Sequence, residues 1–97
     1  MNAMIWHYSG WVEETDPQSI FDYYMQQLVR SGFSVEDVIE KHFAPQGYTA
    51  LFLLGENHFA IHTFPEAGQT YIELASCSGK WFDNFINSGG AAIKRSK

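Results

Sequence analysis

Along the first third of the chain the apolar positions change period, and that change marks the first two elements. Within Ile5 to Val12, Trp6, Tyr8 and Val12 share one parity, which predicts a strand. Ile20, Tyr24 and Leu28 then recur every fourth residue with Phe21 alongside, which gives one apolar face of a helix. Asp16 suits its cap, Pro17 its first turn and Gly32 its end, so the helix is expected over 17–31. Phe33 to Phe43 fits two elements. Ser34 followed by Asp37 resembles a helix start, with Glu36, Glu40 and Lys41 as helix formers. Yet Phe33, Val35, Ile39 and Phe43 share the parity of a half-buried strand.

Beyond a turn at Pro45-Gln46-Gly47, Tyr48 to Leu54 is a continuous apolar run, expected to be a strand buried on both faces. Gly55-Glu56-Asn57 reads as a tight connection. His58 to Phe64 follows as a strand, with Phe59, Ile61 and Thr63 on one side and Ala60, His62 and Phe64 on the other. Pro65 to Gly68 turns the chain, and Tyr71 to Cys77 alternates again. Trp81, Phe82, Phe85 and Ile86 have helical spacing ended by Gly89-Gly90, and Ala91 to Lys94 is expected as a last edge strand. Strands outnumber helices and tight turns join them. The expected fold is α+β, a two-layer α/β sandwich with a mostly antiparallel sheet and two helices on one face, in a single domain over 1–97.

Composition narrows the function classes. The formal charge of -5 argues against nucleic acid as a partner, since phosphate binding needs clustered Lys and Arg. The one basic cluster, Lys94, Arg95 and Lys97, reads as a solvated tail. The longest apolar run, Ala50 to Leu54, is strand-sized, so no membrane helix is expected. A basic-then-apolar leader is missing from the N-terminus, and the single cysteine, Cys77, suits a reducing compartment, so the expected location is cytoplasmic. At 97 residues the domain buries a modest fraction of its surface, which makes a homodimer plausible.

Chemistry-bearing residues crowd into Gly55 to Glu66, with Cys77 eleven residues on. His58 and His62 are four apart, about 13 Å along a strand, too far to share one ion easily, and the helical His-Glu-x-x-His pattern is absent. No metal site is expected. Cys77 and His62 would make a thiolate pair if the sheet set their strands side by side. Singly, each residue has a bland reading: a small packed cysteine, a hydrogen-bonded structural histidine, a solvated Glu66 in a turn.

Together, Glu56-x-His58-x-x-Ile61-His62-Thr63-Phe64-Pro65-Glu66 and the spaced Cys77 resemble the core of the short prokaryotic S-adenosylmethionine decarboxylases, a family of polyamine and spermidine biosynthesis. The resemblance runs upstream through Phe43-x-Pro45-x-Gly47-x-Thr49 and favours strand over helix for 33–43. It implies a self-made pyruvoyl group. A serine after the glutamate attacks the preceding carbonyl, an ester forms and eliminates, and the new N-terminal carbonyl serves as electron sink for decarboxylation. It also implies that His62 assists processing, that Cys77 is the catalytic acid, and that Thr49 supplies a hydroxyl near the cleavage site. Phe43 would line the ligand pocket, with Glu66 closing the motif. The family's sites form between two subunits, which again points to a homodimer binding an S-adenosylmethionine-like molecule.

The departure is Asn57, which stands at the serine's position. A carboxamide has no hydroxyl to begin the acyl shift, so no pyruvoyl cofactor is expected from this chain. Three readings follow, in this order: a non-processing homologue with a ligand-binding or partner role, a true decarboxylase precursor whose serine was replaced, and a thiol enzyme built on Cys77 and His62.

Overall fold

The computed structural model describes residues 3–91. The elements are β1 (Trp6–Val12), α1 (Pro17–Ser31), β2 (Asp37–His42), β3 (Tyr48–Leu54), β4 (Asn57–Phe64), a 3-10 turn at Pro65–Ala67, β5 (Gln69–Ser76) and α2 (Gly79–Phe85), which runs into a wide turn over Ile86–Gly90. The strands form one antiparallel sheet in the order β1-β5-β4-β3-β2. This is the expected α+β sandwich.

Helix α1 forms where its caps predict. The Asp16 carboxylate accepts from the backbone N–H and the hydroxyl of Ser19, both at 2.9 Å, and Gly32 closes the other end with φ 118°. Gly32 is also where α2 crosses, since a Cβ there would stand 2.7 Å from the Trp81 ring. Polar ties hold the second helix beside the first. Asn84 Nδ2 donates to the Ser31 carbonyl at 3.0 Å, and the Tyr23 hydroxyl donates to the Gly89 carbonyl at 2.6 Å.

Both helices cover one face of the sheet. Ile20, Tyr24 and Leu28 of α1 and Phe85 of α2 meet Phe52, Phe59, Ile61, Ile72 and Leu74 from β3, β4 and β5, and all are essentially fully buried. The Tyr24 ring packs at a tilt against Phe59 and Phe85, with centroids 5.1 and 6.2 Å away and ring planes 36° and 30° apart.

The other face is uncovered, which corrects two expectations. Strand β3 is not buried on both sides, because Leu51 and Leu53 are 44% and 49% exposed. In 33–43 the shared parity breaks. Phe33 packs into the core from the loop after α1, and the Glu36 N–H then donates to the Leu53 carbonyl at 2.8 Å and sets the register of β2. Val38, opposite Phe52, therefore faces the core, while Ile39 and Phe43 are exposed. The connection Gly55-Glu56-Asn57 is tighter than expected, a two-residue loop of Gly55 and Glu56 with Asn57 already paired to Leu54. Ala91 lies in a bend, and the rest of the expected edge strand at 91–94 falls outside the described residues.

Candidate functional site

Strand β4 carries the suspect residues, and its alternation divides them between two faces. Asn57, Phe59, Ile61 and Thr63 point to the helices; His58, Ala60, His62 and Phe64 point to the open face. Asn57 and His62 are also five residues apart, about 17 Å along the strand. The structure thus brings the candidates together as two groups, one at each end of the sheet.

The first group sits at the Gly55-Glu56 loop. The Asn57 Oδ1 accepts from the Cys77 N–H at 2.6 Å, and the exposed Cys77 thiol lies 3.9 Å from the Glu56 carbonyl oxygen. Cys77 is held on both sides in sequence as well. The Ser76 hydroxyl donates to the Ser78 carbonyl at 2.9 Å and accepts the Ser78 N–H at 3.0 Å, while the Ser78 hydroxyl caps α2 by accepting from the Trp81 N–H at 3.1 Å. Glu36, Glu56, Cys77 and Trp81 share the walls of an open cavity of about 330 Å³.

The second group forms one row across the open face. Thr49 stands directly opposite His62, with its hydroxyl 3.0 Å from His62 Nδ1; the ring of Tyr71 lies near parallel to the imidazole at 6.2 Å, and Trp11 packs on Tyr71 at 5.3 Å. Phe43, Phe64 and Glu66 join Thr49 and His62 around a second cavity of about 350 Å³. The ammonium of Lys41 is 5.9 Å from the centre of the Phe43 ring. Trp11 and Tyr71 were not among the expected site residues. The parity of Tyr71 in its strand was the available signal, but it has meaning only once β5 is known to lie between β4 and β1.

His62 and Cys77 are not brought together within the chain. His62 pairs with Tyr71, and Cys77 lies six residues further along β5 and its exit, about 20 Å away. Thr49 is likewise beside His62 and not beside the Glu56-Asn57 bond. Among the described residues no three His, Cys, Asp or Glu side chains converge as metal ligands, and no helix is long and apolar enough to cross a membrane.

Comparison with known proteins covers the same ground. A family described as S-adenosylmethionine decarboxylase matches residues 11–88. The S-adenosylmethionine decarboxylase proenzyme of Geobacillus kaustophilus is 35% identical over 54 residues, 56% of this chain and 44% of that protein. The corresponding proenzyme of Oceanobacillus iheyensis is 34% identical over 61 residues, 63% of this chain and 48% of that protein. The chain thus spans less than half the length of these relatives. In architecture it is similar to the crystal structure of the adenosylmethionine decarboxylase from Aquifex aeolicus, with a TM-score of 0.69 at 17% identity over 100% of this chain and 98% of that one. With its sheet, its two helices and 78 contiguous residues matched, this chain belongs to the S-adenosylmethionine decarboxylase family.

Proposed function

We propose that this chain is a non-processing homologue of the S-adenosylmethionine decarboxylases, a cytoplasmic single-domain protein that keeps a ligand-binding surface and does not make a pyruvoyl group. The observation that carries this reading is the side chain after Glu56. In the family motif that position calls for a hydroxyl; here it is a buried carboxamide with both polar atoms bonded to backbone. The residues present do not fit a pyruvoyl precursor, because nothing at position 57 can form the ester.

The ligand half of the site supports binding of a small molecule that is cationic and aromatic, of the S-adenosylmethionine type. Phe43 and Phe64 offer ring faces, Glu66 a carboxylate, and the Thr49–His62 pair a polar anchor, all around one cavity. Titration calorimetry with S-adenosylmethionine tests this. Saturable heat that disappears in His62→Ala is expected, and no heat from the wild-type chain overturns the ligand reading.

The homodimer belongs to the same proposal. Ile39, Leu51, Leu53, Trp11 and Phe64 are 41–64% exposed on the side of the sheet away from the helices, an apolar surface that a second copy would cover. Stacking two open faces about a two-fold axis, with strands antiparallel, sets the Cys77 end of one copy over the His62 end of the other. That arrangement would unite the groups that a single chain keeps apart.

A second reading, a decarboxylase precursor whose serine was replaced, draws on the remaining Thr49–His62 pair and on the Cys77 thiol beside the Glu56 carbonyl. It requires that Asn57→Ser cleave between residues 56 and 57 and release CO₂ from S-adenosylmethionine. An uncleaved, inactive but folded variant counts against it. The thiol-enzyme reading needs a His62–Cys77 contact, which within one chain is missing.

A further inference from the structure

Asn57 is only 6% exposed, and its carboxamide is used at both ends. Nδ2 donates to the Leu54 carbonyl at 3.0 Å, and Oδ1 accepts from the Cys77 N–H at 2.6 Å. The partners lie on different segments. Leu54 is the last residue of β3, whereas Cys77 lies just past the end of β5, outside the strand ladder. One planar group therefore ties the β3–β4 hairpin to the link that leads into α2. Without it the Cys77 N–H loses its protein partner and is left to water, and nothing else among the described residues ties that backbone to the hairpin at this point.

We infer that Asn57 is a positioning residue for Cys77, a two-sided clamp whose work a serine at the same position cannot do. A serine hydroxyl has one proton and one oxygen on a shorter side chain, so it lacks the reach to hold Leu54 and Cys77 together. Its effect spreads through the Ser76–Ser78 bracket, because Ser78 caps α2 and Trp81 of α2 lies against Gly32 at the end of α1. The thiol stays beside the Glu56 carbonyl because the backbone that carries it is held. The clamp operates whether or not any ligand binds at the far end of the sheet. It also means that putting the family's hydroxyl back at position 57 loosens the cysteine that the family's chemistry would use.

Amide hydrogen exchange by NMR on the full chain reads the two halves of the clamp separately. In Asn57→Ser, exchange of the Cys77 amide should quicken by about tenfold or more, while Ile61 and Ile72 in the sheet centre keep their protection. Asn57→Asp retains an oxygen facing Cys77 and loses the donor to Leu54, so its Cys77 amide should stay within about threefold of wild type. A Cys77 amide in folded Asn57→Ser that exchanges within about twofold of wild type overturns the inference. If Asn57→Ser does not fold, the wild-type carboxamide decides. The Asn57 proton bound to Leu54 should exchange about tenfold more slowly than its geminal partner, and equal rates overturn the clamp.

Discussion

Asn57 and His62 leave the same strand toward opposite faces of the sheet, and their hydrogen bonds differ as much as their directions. Asn57 is buried and bonded to backbone at both polar atoms, while His62 stands on the open face beside the Thr49 hydroxyl. One is built into the structure of a strand end; the other is presented to a cavity. A change at position 57 therefore acts on the hairpin end of the sheet and leaves the Thr49–His62 end untouched.

The open face should be the dimer contact. Replacing Leu51 and Leu53, which lie on β3 away from the helices, with lysine puts charge into that contact and touches nothing in the core. Light scattering should then report a monomer that keeps the wild-type circular dichroism spectrum. A wild-type chain that is already monomeric contradicts the prediction, as does a double variant that remains a dimer.

The core makes a paired prediction. Phe59 lies between Tyr24, Phe52 and Phe85, so Phe59→Ala should cost about 3–5 kcal/mol in urea unfolding. The Tyr24 hydroxyl is buried without a hydrogen-bond partner, and burial pushes its phenol pKa well up. Tyr24→Phe removes that orphaned group, so stability should rise by about 1 kcal/mol. A loss of similar size would show that the hydroxyl is satisfied in solution.

Asp16 should make the first helix acid-sensitive. The Ser19 backbone N–H, and then its hydroxyl, hold the carboxyl below its ordinary value of 3.8. Because the folded pKa is depressed, the stabilisation is present above the ordinary value and is lost as pH falls through the folded one. Asp16→Ala should therefore be less stable than wild type at neutral pH, and the gap should close under strongly acidic conditions. A gap that does not change with pH would assign the effect to helix propensity and not to the charged cap.

Much of the fold was legible because local chemistry and tertiary structure agree. Asp16, Pro17 and Gly32 bound a helix whose every-fourth apolar residues are the ones buried, and the parity of β4 was correct along its length. Strand β3 misled because Leu51 and Leu53 are as apolar as Phe52 and Leu54. Only the placement of both helices on one face decides which of them stay exposed. The same holds for the site. Motif spacing identified Asn57, His62 and Cys77 without showing that strand alternation and length separate them. Distances between strands depend on sheet order, and β5 inserts between β1 and β4 by a choice no local pattern records.

Denaturing mass spectrometry of the freshly purified chain tests the central claim most directly. A side chain without a hydroxyl at position 57 predicts one intact species at 11.1 kDa. Two fragments divided between Glu56 and Asn57, the second with a blocked N-terminus, would contradict it.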